Sequence, residues 1–309
     1  MHKSIHFIGI GEAVMADLAL VLREQGYVVT GSSATNLRED LSSRLAYQDI
    51  IPNQYNFSKD NINSLIACVI IGREIDTDNV ELKAAQELGL PIYSYAEYIY
   101  QQFAKDKQRI VVVGDTKITD MVLAMAIHVM KYCGRSFDYI ANILQLDTSV
   151  KLSDAPVIFL KADTHAISSV DQRIECLVYE PHIVLITGID MDYCKTDILL
   201  EKYISSLSNL SDIIPKAGSL LYYANIPSIK GIATKYRIDV KCIPYHEHAY
   251  KQTGNTNYLL TPQGKTHIPY YVDKLVLESV SAAYSLLKEL AITDSQFYKA
   301  IADFVISSI

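Results

Sequence analysis

His6-Phe7-Ile8-Gly9-Ile10-Gly11-Glu12-Ala13-Val14 is the stretch that decides the fold. A short apolar run ends on two glycines and enters a segment with helical spacing, so it reads as a strand, a tight turn and a helix reaching about Gln25. Working outward, YVVTG at 27–31 reads as a second strand, 37–45 as a helix and ACVIIG at 67–72 as a third strand. Apolar runs of this length suit strands buried on both faces of a parallel sheet, so a Rossmann-like, doubly wound α/β domain is expected. A helix after Asn79 ends at Gly89, whose missing Cβ permits a left-handed cap. Pro91 opens the short strand PIYSY, and a Tyr-rich helix runs from Glu97 toward Lys105. The charged segment Lys105-Asp106-Lys107-Gln108-Arg109 marks the boundary, giving domains of 1–107 and 108–309.

The second domain starts the same way, with IVVVG at 110–114 and a helix over 118–132 on which Met121, Met125, His128 and Val129 recur at helical spacing. Strands are expected at 156–161, 176–179, 183–188 and 219–223, which implies another parallel core. The runs at 238–243 and 257–261 read as antiparallel hairpins at one edge. Two helices, over 274–290 and 294–305, close the chain.

The 309 residues are half apolar and carry a net charge of −7, so the chain can bury a large core and repels phosphate backbones and anionic lipid. Nucleic acid and membrane are therefore not expected as partners. No apolar run reaches the roughly 18 to 20 residues of a membrane helix, and the N-terminus enters a strand pattern with no signal-peptide cleavage site. A cytoplasmic location is expected. Five scattered cysteines with no CxxC pair fit free thiols and give no metal site.

In the turn Gly9-Ile10-Gly11-Glu12-Ala13-Val14, glycines let the backbone approach a diphosphate at a helix N-terminus. The second strand, however, offers no carboxylate for a dinucleotide ribose, and Val14 stands at the third glycine position. On the residues alone, a diphosphate-bearing ligand and a tight turn with no ligand are both open.

HFIGIG followed by Met15, Leu18 and Ala19, then GYVVTGS at 26–32, resembles the first domain of the Mur ligases. The likeness is greatest to those that join L-alanine, or in recycling a whole tripeptide, to UDP-N-acetylmuramate. It continues through Asp78-Asn79-Val80-Glu81-Leu82, through LGLPIYSYAEYIY and to the helix at 297–304, covering essentially the whole chain. The family has three domains, which bind the UDP-sugar, ATP and the incoming amino acid or peptide in that order. This chain stops at the end of the second. The resemblance implies a diphosphate held over Gly9, Ile10 and Gly11, with Ser32, Ser33 and Asn79 near the nucleotide or sugar. Two departures stand out: Glu12 occupies a position that is usually glycine, and Ser33 one that is usually aspartate.

Mur ligases activate the muramyl carboxylate with ATP and Mg²⁺, forming an acyl phosphate that an amine attacks. A strand runs into Gly-Ser/Thr-His-Gly-Lys-Ser/Thr-Thr, whose amides cradle the phosphates and whose lysine neutralises them. Here the stretch reads Gly114-Asp115-Thr116-Lys117-Ile118-Thr119-Asp120. Aligned without a gap, Lys117 falls on the second glycine and Ile118 on the lysine; a gap could restore Lys117 as the cation but not the glycine. Asp115 and Asp120 bring negative charge toward a polyanion, about 4 kcal/mol for a like-charge contact at 4 Å and an effective dielectric of 20. The family's acidic metal-binding stretch is Lys161-Ala162-Asp163-Thr164, its Asp-His pair is Asp192-Tyr193, and its adenine-contacting asparagines fall on Val276 and Ser279. Lys117, Thr119, Asp163 and Asp192 are the remnants.

The sequence thus predicts a Mur ligase homologue with a degenerate P-loop: a pseudoenzyme without cofactor or metal that binds a UDP-sugar, a protein partner or a second copy of itself as a homo-oligomer. Two alternatives are a ligase completed in trans by another chain and an interaction scaffold with no small-molecule site. Among other constellations, His246-Glu247-His248 could place two imidazoles on one strand face but reads as a solvated hairpin. His128 reads as a core-boundary histidine. His165 beside Asp163 lacks a defined nucleophile. Tyr93, Tyr95, Tyr98 and Tyr100 read as packing at the interdomain seam.

Overall fold

The computed structural model describes residues 3–34, 36–50, 56–235, 237–254, 256–270 and 272–305. Two compact units result. Unit 1 comprises residues 1–106 together with 148–152 and 165–179, and unit 2 the remainder.

Unit 1 runs β1 (Ser4–Ile8), α1 (Ala13–Glu24), β2 (Val28–Ser32), α2 (Glu39–Tyr47), β3 (Ile66–Ile71), α3 (Val80–Glu87), β4 (Ile92–Ser94) and α4 (Tyr95–Ile99). Its strands pair in parallel in the order β2-β1-β3-β4. The chain leaves β1 at the centre of this sheet, so its turn opens at the carboxyl ends of the strands, where α/β sheets bind ligands. Phe7 and Ile8 are fully buried, and Ile8, Val69, Ile71, Ile75, Leu82 and Ala85 form one apolar cluster. Gly89 closes α3 with φ +64°, the left-handed conformation expected of it.

Unit 2 begins with β5 (Gln108–Val113), α5 (Thr116–Tyr132) and β6 (Asp138–Ile140). Next, β7 (Val150–Lys151) returns to unit 1, β8 (Val157–Lys161) belongs to unit 2, and α6 (Glu175–Val178) is again part of unit 1. The remainder of unit 2 is β9 (Ile183–Ile186), α7 (Asp197–Ile213), β10 (Ser219–Tyr223), α8 (Pro227–Ala233), β11 (Lys241–Tyr245), β12 (Tyr250–Thr253), β13 (Thr256–Thr261), β14 (Gly264–Ile268), α9 (Lys274–Lys288) and α10 (Asp294–Ala302). Its parallel strands lie in the order β11-β10-β9-β5-β8-β6, with β12-β13-β14 forming a separate antiparallel sheet. Ile110 to Val113 are buried, as a central strand covered on both faces requires. Val122, Met125, Ala126 and Val129 of α5 share a core with Val280, Ala283 and Leu287 of α9.

The α/β architecture agrees with the sequence reading, and three local expectations need correction. The run at 176–179 is not a strand: Glu175–Val178 is one helical turn, with Glu175, Cys176 and Tyr179 buried. The strand near 238–243 is Lys241–Tyr245, and it extends the main sheet in parallel with β10 rather than forming a hairpin. His246-Glu247-His248 lies outside any strand, so the imidazoles share no strand face: His246 Nδ1 is 2.9 Å from Asn225 Oδ1, and His248 Nε2 is 2.8 Å from the Tyr298 hydroxyl. His128 is the expected boundary residue, bonded through Nε2 to the Ala300 carbonyl and edge-on to Phe304. Tyr95 and Tyr98 are buried within unit 1, Tyr98 edge-on to Tyr93 and Phe103. No helix among the described residues is long and apolar enough to cross a membrane.

Candidate functional site

The turn after β1 is held by its own backbone. Gly9 adopts φ +90°, and the amides of Gly9 and Ile10 both donate to the Ser32 carbonyl, at 3.0 and 2.9 Å. Gly11 is exposed and packs close to Ser33, since a Cβ added there would lie 2.8 Å from Ser33 Oγ. Helix α1 then begins with no side-chain cap, so its first-turn amides are available to an external anion. Glu12, the residue at the cap position, turns away from the helix. Its carboxylate lies over Gly72, where a Cβ would come within 2.4 Å of Oε1, and it accepts the Glu74 amide at 3.3 Å. Burial pushes the Glu12 carboxyl above its ordinary range, against the opposing pull of the Glu74 amide.

Ser32 and Asn79 both engage Glu81. Asn79 Oδ1 caps α3, accepting from the Glu81 and Leu82 amides at 2.9 and 3.1 Å. The fully buried Glu81 carboxylate accepts from the Ser32 hydroxyl, from Asn61 Nδ2 at 2.7 Å and from the Ser58 amide at 3.0 Å, with His6 Nε2 at 3.4 Å. Burial alone would raise its pKa, yet these donors outweigh burial and hold it below the ordinary value.

Sequence reasoning missed a second knot in unit 1. Glu175 accepts from Arg73 Nη2 at 2.9 Å and from the Tyr95 hydroxyl at 2.5 Å, and Arg73 also donates to that hydroxyl. His165 Nε2 lies 3.2 Å from Arg73 Nη1 and so faces a guanidinium. Nothing in the local sequence ties residue 73 to residue 175.

In unit 2, Gly114 (φ +136°) lets the end of β5 press against the end of β9. A Cβ there would meet Thr187 Oγ1 at 2.4 Å and the Gly188 amide at 2.6 Å. Asp115 is the N-cap of α5: its Oδ1 accepts the Lys117 and Ile118 amides at 3.0 and 3.1 Å. Those are first-turn amides of the kind a phosphate takes at a helix N-terminus. Lys117 is exposed, and the half-buried Ile118 packs on the core. Thr119 and Thr187 share a buried hydroxyl contact of 2.9 Å, and Thr116 donates to Asp190 at 2.6 Å. Asp190 also caps the amides of Asp192 and Tyr193. Lys161 pairs with Asp120 at 2.5 Å; burial still leaves the Asp120 carboxyl above its ordinary value. Asp163 is half-buried, while Val276 and Ser279 are buried within α9. Among the described residues, no group of three or more His, Cys, Asp or Glu could hold a metal ion. Asp115→Ala is expected to cost about 1 kcal/mol, the usual loss for an N-cap, read as a lower urea midpoint at unchanged slope.

A parallel sheet whose central strand feeds a Gly-x-Gly turn, together with a second parallel sheet entering a glycine-led helix start, defines a two-unit α/β protein. Comparisons with known proteins agree. The model described as "Mur ligase family, catalytic domain" matches residues 4–107. The chain is 27% identical over 237 residues to a UDP-N-acetylmuramate--L-alanine ligase of Arthrobacter sp. (strain FB24), covering 75% of this chain and 48% of the relative. It is 23% identical over 228 residues to the UDP-N-acetylmuramate--L-alanyl-gamma-D-glutamyl-meso-2,6-diaminoheptandioate ligase of Escherichia coli (strain K12), covering 73% and 49%. Among solved structures, the corresponding ligase from Neisseria meningitides superposes with a TM-score of 0.84 at 17% identity, covering all of both chains. The UDP-N-acetylmuramate-alanine ligase of Thermotoga maritima gives 0.72 at 19%, covering 98% of this chain and 69% of that one. Residues 4–107 thus carry a Mur ligase family domain, and the chain shares its fold with Mur ligases. It spans about half the length of the curated relatives it matches.

Proposed function

We propose that this protein is a non-catalytic Mur ligase relative that binds a UDP-sugar at the β1–α1 turn of unit 1, in the cytoplasm, and acts in or beside peptidoglycan synthesis or recycling. The observation that carries the loss of ATP chemistry is the Asp115 side chain, which takes the Lys117 and Ile118 amides for itself. An anionic side chain there excludes a triphosphate by charge as well as by occupancy. The surrounding donor set does not fit MgATP either. Ile118 offers no cation, Lys161 stands where the resemblance calls for a metal carboxylate and pairs instead with Asp120, and the side chains of Val276 and Ser279 carry no amide.

Unit 1 supports the other half of the proposal. Helix α1 has no side-chain cap, and Gly11 is exposed beside Ser33. Isothermal titration of the full chain separately with UDP-N-acetylmuramate and with ATP plus Mg²⁺ tests both parts. Saturable heat with the nucleotide sugar and none with ATP is expected; magnesium-dependent ATP binding overturns the non-catalytic reading.

A further inference from the structure

We propose that Glu12 is a built-in plug of the β1–α1 turn: its carboxylate takes backbone donors at the end of β3 and sets how tightly a nucleoside diphosphate can bind. The inference rests on the UDP-sugar reading of unit 1 and names the residue that tunes that site.

The geometry is particular to Glu12. An aspartate at a helix N-cap ordinarily turns back on its own first-turn amides, as Asp115 does at α5. Glu12 makes no such bond, and its longer side chain crosses to the segment after β3, where the Glu74 amide donates to Oε1 at 3.3 Å. The path exists because residue 72 is glycine: a Cβ there would stand 2.4 Å from Glu12 Oε1 and 3.3 Å from the Gly9 carbonyl. The carboxylate thus lies in a slot between the β1 turn and the end of β3, beside the first turn of α1. The charged side chains that act on it are Arg73, which favours the ionised form, and Glu74, which opposes it.

A diphosphate seated at the first turn of α1 needs the same positive field that the plug relieves, and it meets a carboxylate on the residue preceding the helix. To bind, it must displace the side chain or bear the repulsion. A purely structural role for Glu12 predicts something else: its removal would loosen the 72–74 segment and lower stability without any gain in ligand affinity.

The test compares wild type, Glu12→Gly and Glu12→Gln as full-length proteins by isothermal titration with UDP and with UDP-N-acetylmuramate, each first shown folded by circular dichroism. Glycine is well tolerated at an N-cap. Glu12→Gly, which clears both volume and charge, is expected to bind at least about tenfold tighter than wild type. Glu12→Gln, which clears charge alone, should fall between them. Wild type that binds as tightly as Glu12→Gly, or tighter, overturns the plug and leaves the UDP-sugar reading standing. No binding by any of the three overturns that reading and the plug together.

Discussion

Glu81→Ala is expected to destabilise unit 1 by about 3 to 5 kcal/mol, the range found when one partner of a buried charged network is removed. The carboxylate is fully buried and accepts from Ser32, Asn61 and the Ser58 amide, with the His6 imidazole alongside. Alanine leaves the buried Ser32 hydroxyl and His6 imidazole without this acceptor, each at a cost of about 1 to 3 kcal/mol, while the half-buried Ser58 amide and Asn61 can turn to water. Glu81→Gln, which keeps the volume and one acceptor oxygen, should lose less. The sign of the pH dependence follows from the direction of the shift. Its donors hold the Glu81 carboxyl below the ordinary 4.5, so its contribution is complete above that value and fades as the pH falls through the folded-state pKa. Urea unfolding of wild type and Glu81→Gln should therefore differ most near neutrality and converge in acid. A gap that widened on acidification would contradict the assignment.

The second large effect is expected at Gly114. At φ +136° the residue occupies a region that essentially only glycine populates, and an added Cβ would strike Thr187 Oγ1 at 2.4 Å, the Gly188 amide at 2.6 Å and the Thr187 amide at 2.9 Å. Two of these neighbours are backbone atoms of β9's outgoing turn, which cannot step aside as a flexible side chain would. Gly114→Ala should cost about 3 kcal/mol or more. Gly134→Ala is the control. Its φ is also positive, at +61°, but nothing lies within 4 Å of a built Cβ, so only about 1 kcal/mol is expected. Thermal or urea midpoints of the two variants measured side by side check the contrast. Equal losses would show that conformation, and not the approach of β9, is what residue 114 answers to. The first glycine of the turn is thus explained by packing between two strand ends, whatever ligand the turn does or does not hold.

The parallel cores were legible because their strands are uninterrupted apolar runs bounded by glycine, as at Ile110 to Gly114. The α5 and α9 helices were legible because their apolar residues recur on one face. Where the pattern was diluted, so was the reading. Helix α7 buries Tyr203, Leu207 and Leu210 but also Ser206 and Ser211, so its core stripe does not look apolar on paper. Strand β6 has three residues, one of them the buried Asp138 paired with Lys107. The CLVY segment is rich in strand formers, but Glu175 is committed to Arg73 and Tyr95, and that long-range bond fixes one helical turn there.

The two glycine turns were visible for the same reason as the strands that feed them. What the carboxylates beside them do was not. Asp115 is one residue past a glycine and looks like a charge near a phosphate site; that it caps its own helix follows from the φ, ψ path of the turn. Nothing in the order of residues shows Glu12 reaching Gly72, because the two meet only once β1 and β3 are adjacent.

The discontinuity of unit 1 has a consequence for how the molecule comes into being. Asp17 of α1 waits for the Ser149 amide, and Arg73 and Tyr95 wait for Glu175. During synthesis these bonds can close only after residues 149 and 175, which follow the first strand of unit 2, have left the ribosome, although Asp17 already has Arg44 and Arg73 already has Tyr95 within the first 106 residues. Contacts of such high sequence separation close late in folding, so completion of unit 1 is tied to the synthesis of unit 2.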